Sequence, residues 1–92
     1  MADDERYDVI VSTQVRRALS ETLPLGVALA IFEFIDGPLA NSPHRVGAPL
    51  RSPFEGYYRA RRGPYRIRYR IDEKARVVTV VNVSHRSDAY RT

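Results

Sequence analysis

The spacing of apolar residues changes period along the chain, and each change marks an element. Tyr7 to Val11 is a run of aromatic and β-branched residues that suits a pleated surface and predicts a strand. Ser12 or Thr13 can then cap a helix, in which Val15, Ala18, Leu19, Thr22 and Leu23 follow the i, i+3, i+4, i+7, i+8 spacing of one buried face. Arg16, Arg17 and Glu21 fall outside that stripe. Pro24 ends this helix or opens the next, and Leu25 to Asp36 predicts a second helix, stopped by Gly37 and Pro38. This second window is apolar nearly all round; its length without a turn signal decides for helix over strand.

From Gly37 to Pro53, glycine, proline and asparagine recur with no sustained period, which predicts an irregular connection over the surface. Three strands follow, Tyr57 to Arg62, Tyr65 to Asp72 and Val77 to Ser84. Gly63-Pro64 and the Asp72 to Arg76 segment separate them, connections short enough to make an antiparallel meander. In the middle strand Tyr65, Ile67, Tyr69 and Ile71 point to one face, and Arg66, Arg68 and Arg70 to the other. Val77 to Val83 is almost entirely β-branched, the pattern of a strand covered on both faces. The expected fold class is α+β: an N-terminal strand, a two-helix hairpin and a three-stranded antiparallel meander, in one domain spanning residues 1–92.

Composition narrows the function. With 43% hydrophobic and 28% charged residues the chain is globular rather than disordered. It has no cysteine, which excludes disulfides, a thiolate zinc site and a cysteine nucleophile. Val27 to Ile35, the longest apolar stretch, is broken by Glu33 and too short to cross a bilayer, and the acidic start Asp3-Asp4-Glu5 has the wrong sign for a secretory signal. A cytoplasmic protein with no membrane partner is expected. The net charge of +4 is unevenly placed: residues 1–50 carry four arginines against seven acids, a net of −3, whereas residues 51–92 carry ten arginines and Lys74 against four acids, a net of +7. Concentrated cations in one half point to a polyanionic partner, nucleic acid first.

No glycine-rich phosphate loop or nucleophile elbow is present, and His44 and His85 are too few and too far apart for a metal cluster. What remains is an arginine surface without a metal or cofactor. Tyr57, Arg59 and Arg61 share a strand face, with guanidinium groups about 7 Å apart at two-residue spacing. Arg62, Arg66 and Arg68 add to the cluster, and interleaved tyrosines such as Tyr58 offer stacking platforms for unpaired bases. Arg45, with His44 in the preceding loop, is expected to assist placement on RNA or on a partner. In the tail, His85 is a candidate for proton transfer, Arg86 a phosphate ligand candidate, and Tyr90 a candidate for stacking or proton transfer.

The run Gly56-Tyr57-Tyr58-Arg59-Ala60-Arg61-Arg62-Gly63-Pro64-Tyr65-Arg66-Ile67-Arg68-Tyr69 and the ending His85-Arg86-Ser87-Asp88-Ala89-Tyr90-Arg91, set in this order of elements, resemble the RelE/ParE superfamily of bacterial type II toxins. The RelE branch cleaves messenger RNA in the ribosomal A site without metal and is neutralised by an antitoxin that wraps it. The ParE branch shares the fold and acts on DNA gyrase. The resemblance implies a ribosome-dependent endoribonuclease whose partners are a RelB-like antitoxin, the 70S ribosome and messenger RNA, in a toxin–antitoxin hetero-oligomer; the alternative it leaves open is a ParE-like inhibitor of DNA gyrase with no catalysis of its own. By position, Arg59 and Arg61 match the basic pair on the strand after the helices, Arg66 the arginine that grips the scissile phosphate, and Arg86 the basic residue after the last strand. Tyr90 matches the tail tyrosine, and His85 resembles a tail histidine of some RNA-cleaving relatives. Both members of the basic pair are arginine here and cannot lose a proton, so the general base lies between His85 and Tyr90. The catalytic set implied is Arg61, Arg66, His85, Arg86 and Tyr90; the RNA-binding set is Arg45, Tyr58, Arg59, Arg62 and Arg68.

Overall fold

The computed structural model describes residues 6–87. Strand β1 (Asp8–Val11) leads into helix α1 (Thr13–Arg17), capped as expected by Ser12, whose hydroxyl accepts from the Val15 N–H at 3.2 Å. Helix α2 (Leu25–Phe34) starts after Pro24. Both helices continue into wide π-type turns, Ala18–Thr22 and Ile35–Leu39. In the first, the Leu23 N–H donates to Ala18 O, five residues back. The extra residue rotates the end of the helix, so Thr22 leaves the predicted stripe and is exposed while Val15 and Ala18 are buried. In the second, Pro38 has no N–H to return along the helix and sits inside the widened turn, so Gly37-Pro38 does not stop the element.

The segment after it is more ordered than its composition suggests. Leu39, Ala40 and Pro43 are buried, the Tyr7 N–H donates to Ala40 O, and Ala48–Pro49 forms a short strand, β2. Proline is tolerated there because β2 is an edge strand. The expected irregular surface connection is thus corrected: its first part completes the core and its middle closes the sheet.

Strands β3 (Tyr57–Arg62), β4 (Tyr65–Asp72) and β5 (Val77–His85) form the predicted meander. It lies within a five-stranded sheet of order β1-β5-β4-β3-β2, in which β1 runs parallel to β5 (Asp8 opposite Val77) and the other pairs are antiparallel. Both helices pack on one face, and the core joins Val15, Ile31, Phe34, Ile35 and Leu39 to Ala60, Ile67, Tyr69, Val78, Val80 and Val83. β5 is an interior strand, between β1 and β4, but is not covered on both faces. Its register shifts between Arg68, opposite Asn82, and Tyr69, opposite Val80, so one extra residue lets Val78, Val80 and Val83 all reach the helix side. No helix of the described residues is long and apolar enough to cross a membrane.

Candidate nucleic-acid interface

Strand alternation places the arginines. Ala60 pairs with Ile67, both buried under the helices, so their neighbours in the register face the open side: Arg59 opposite Arg68, and Arg61 opposite Arg66. On β5, Asn82 lies opposite Arg68 and Ser84 opposite Arg66. Like charges directly across a ladder are destabilising. Two such pairs side by side concentrate positive charge on the open face, an arrangement suited to an anionic ligand.

The β3–β4 hairpin gathers three of these cations. Gly63 takes the left-handed conformation (φ 57°) that the tight turn requires. The carbonyl of the next residue, Pro64, accepts the Arg86 N–H at 2.7 Å, which draws the end of β5 against the turn. As a result Arg61, Arg66 and Arg86 line one pocket of about 150 Å³ with Gly63 and Pro64. A second pocket, of about 350 Å³, adjoins it through Arg66 and is walled by Arg59, Arg68, Leu50, Phe54, Asn82 and Ser84. Of the residues in the expected catalytic set, Arg61, Arg66 and Arg86 thus line one pocket, and Arg59 and Arg68 stand beside them.

Other expected residues are placed elsewhere. His85 lies opposite Tyr65, packs edge-on against its ring with centroids 5.1 Å apart, and borders a cavity lined by Thr13, Gln14 and Arg17 of α1. It therefore faces the helix side, away from Arg66, because adjacent strand positions point oppositely. Its Nδ1 accepts the Ser87 N–H at 3.1 Å, which leaves Nε2 to carry the proton of the neutral ring. Arg62 also faces the helix side, its guanidinium 5.4 Å from the centre of the Phe34 ring. Tyr58 stacks on Tyr69 at 5.6 Å, inside the fold rather than on the arginine face. Arg45 is exposed in the turn before β2 and borders neither arginine pocket. Tyr90 lies outside the described residues.

Four contributors were not anticipated: Leu50, Phe54, Asn82 and Ser84. The signal for two of them is in the sequence, since Asn82 and Ser84 are polar positions, two residues apart, in a strand made mostly of valine. Beyond the far end of β4, a second cluster ties the fold together. His44 Nε2 and the Tyr7 hydroxyl both contact the Glu73 carboxylate, the latter at 3.0 and 3.1 Å, while the Tyr58 hydroxyl meets His44 Nδ1 at 3.3 Å. The bonds from His44 and then Tyr7 hold the Glu73 carboxyl below its ordinary range. Burial, then the bond to Glu73, pushes the Tyr7 phenol up, although Arg76 over its ring at 4.2 Å acts the other way.

Comparison with known proteins agrees with this architecture. The family model described as "ParE toxin of type II toxin-antitoxin system, parDE" matches residues 12–90. The chain is 44% identical over 91 residues to "Toxin RelE" of Mycobacterium tuberculosis, covering 99% of this chain and 93% of that protein. Among solved structures it resembles the toxin–antitoxin complex RelBE2 from Mycobacterium tuberculosis, at 43% identity and a TM-score of 0.83 over 90% of this chain and 94% of that one. It also resembles the archaeal RelE–RelB complex from Pyrococcus horikoshii, at 27% identity and a TM-score of 0.71 over 95% and 99% of the two chains. The chain belongs to the ParE toxin family of type II toxin–antitoxin systems, in which these relatives bear the RelE name.

Proposed function

We propose that this toxin is a ribosome-dependent endoribonuclease that cleaves messenger RNA and so stops translation. The observation that carries the reading is the convergence of Arg61, Arg66 and Arg86 on one small pocket at the open face of the sheet. In the reaction a ribose 2′-hydroxyl attacks the adjacent phosphorus in line, the bond to the 5′-oxygen breaks, and the products are a 2′,3′-cyclic phosphate and a 5′-hydroxyl. Extra negative charge accumulates on the phosphorane oxygens in the transition state. Three fixed guanidinium groups bind that charge more tightly than the single charge of the ground-state diester, and this difference is what accelerates the step. None of the three can serve as a base. His85 faces the opposite side of the sheet, so the proposal gives proton transfer to the tail, with Tyr90 as its candidate. Alignment of the 2′-hydroxyl comes from the ribosome, because an open arginine face grips phosphate without fixing ribose geometry.

Replacing Arg66 or Arg86 by Ala should lower single-turnover cleavage on programmed ribosomes about 100- to 1,000-fold, the usual loss for one oxyanion donor. His85→Gln should leave it within a few-fold of wild type, and Tyr90→Phe should lower it more than it lowers ribosome affinity. Primer extension on the messenger RNA reads all four. The family description as a ParE toxin favours a second reading, inhibition of DNA gyrase without catalysis. Wild-type protein that leaves messenger RNA intact on ribosomes but blocks a supercoiling reaction would establish that reading instead.

The solved relatives are complexes with RelB antitoxins. For this chain the proposal is a RelB-like antitoxin that sets acidic residues against Arg59, Arg61 and Arg66 and apolar anchors against the helices.

A further inference from the structure

The geometry points to a nucleobase-binding subsite beside the phosphate pocket, with the Phe54 ring as its stacking wall and Asn82 and Ser84 as its polar floor. This inference rests on the proposed RNA-cleaving function and names a part of its substrate site. Phe54 is 45% exposed on the arginine side of the sheet, in a segment where an apolar ring gains little from folding. The segment nevertheless holds it: the Phe54 N–H donates to Arg51 O at 2.9 Å, the Tyr57 N–H donates to Phe54 O at 3.1 Å, and the Arg68 guanidinium sits 5.2 Å from the ring centre. Across the pocket, Asn82 and Ser84 interrupt the valines of β5 on the same open face.

A flat apolar wall, an amide with both donor and acceptor atoms, a hydroxyl and a cationic rim fit an unpaired base rather than a second phosphate. Arg66 lines this pocket and the phosphate pocket alike, so a base here belongs to a nucleotide next to the gripped phosphate. An acidic side chain of a protein partner would use the arginines but would leave the ring and the amide without a role.

The test titrates the full-length toxin, free of antitoxin, with single-stranded RNA pentanucleotides carrying 2′-O-methyl riboses, in a series with one abasic residue at each position in turn. For the wild type, removing the base at one position should weaken binding about tenfold, as expected for one base stacked on an aromatic ring. Phe54→Ala should abolish that penalty and Phe54→Trp should keep it, with circular dichroism confirming the fold of both. Asn82→Ala should narrow the spread among the four bases at the same position. Equal binding of all abasic oligonucleotides by the wild type, or a penalty that survives in Phe54→Ala, would overturn the subsite. So would a Phe54→Ala variant that loses only antitoxin affinity, which would make the pocket a protein contact. These oligonucleotides have no 2′-hydroxyl to react, so the outcome is separate from cleavage: a toxin that cuts messenger RNA on ribosomes yet shows no base penalty fails this inference alone.

Discussion

A Cβ added at residue 47 would stand 2.8 Å from Arg59 O and collide with the Tyr69 hydroxyl, neither of which can give way. Arg59 O belongs to β3, and Tyr69 is fully buried with its hydroxyl donating to Pro43 O at 2.6 Å. That burial pushes the phenol up to about 12, so it remains a donor across the physiological range. Gly47→Ala should therefore destabilise the fold by about 1–3 kcal/mol, the usual range for overpacking, and should appear as a lowered midpoint in urea denaturation. In the sequence Gly47 is indistinguishable from loop punctuation, because nothing local separates a glycine that permits a turn from one that lets a buried tyrosine approach. The arginines were legible for the opposite reason: Arg59, Arg61, Arg66 and Arg68 are set by strand alternation, which the sequence displays directly. His85 obeys the same alternation: it follows Ser84 on β5 and faces the helix side, which the expected catalytic set does not allow for.

Among the elements, α2 leaves an unusual residue. Leu25, Leu29 and Phe32, at i, i+4 and i+7, are 76%, 53% and 53% exposed, while Ala28, Ile31 and Phe34 meet the core. An apolar stripe of this kind on a small protein marks a contact surface, and it suits the apolar anchors proposed for the antitoxin. The double variant Leu29→Glu, Phe32→Glu should keep thermal stability within about 0.5 kcal/mol, as surface changes do, yet weaken antitoxin binding at least tenfold in a titration. Existence and order of the helices and of β3, β4 and β5 were readable from periodicity. The bounds of β3 and β4 were readable too, and that of β5 to within one residue; the ends of the helices were not, because the wide turns at Ala18–Thr22 and Ile35–Leu39 change the phase of the repeat without altering its composition. β2 escaped notice for a similar reason: two residues, one of them proline, carry no period at all.

At the scale of the whole molecule, the Tyr7–Glu73–His44–Tyr58 cluster links the start of β1, the β4–β5 turn, the segment before β2 and β3. Because folding holds the Glu73 carboxyl below its ordinary range, its contribution is complete above the unfolded pKa and is lost as the pH falls through the depressed folded value. Wild-type stability should thus fall more steeply than that of Glu73→Gln as the pH drops below about 4.3, measured by urea denaturation at a series of pH values. The parallel pairing of β1 with β5 bears on how the toxin comes into being. The Ser12 hydroxyl donates to Val81 O across 69 positions of sequence, and among the described residues β1 pairs only with β5. Closure between such distant segments is slow, and synthesis delivers β1 first and β5 last. The sheet that presents Arg66 beside Arg86 is therefore unfinished while the chain is still being made. The pocket shared by Arg61, Arg66 and Arg86 is thus completed only after the last of these strands has been made.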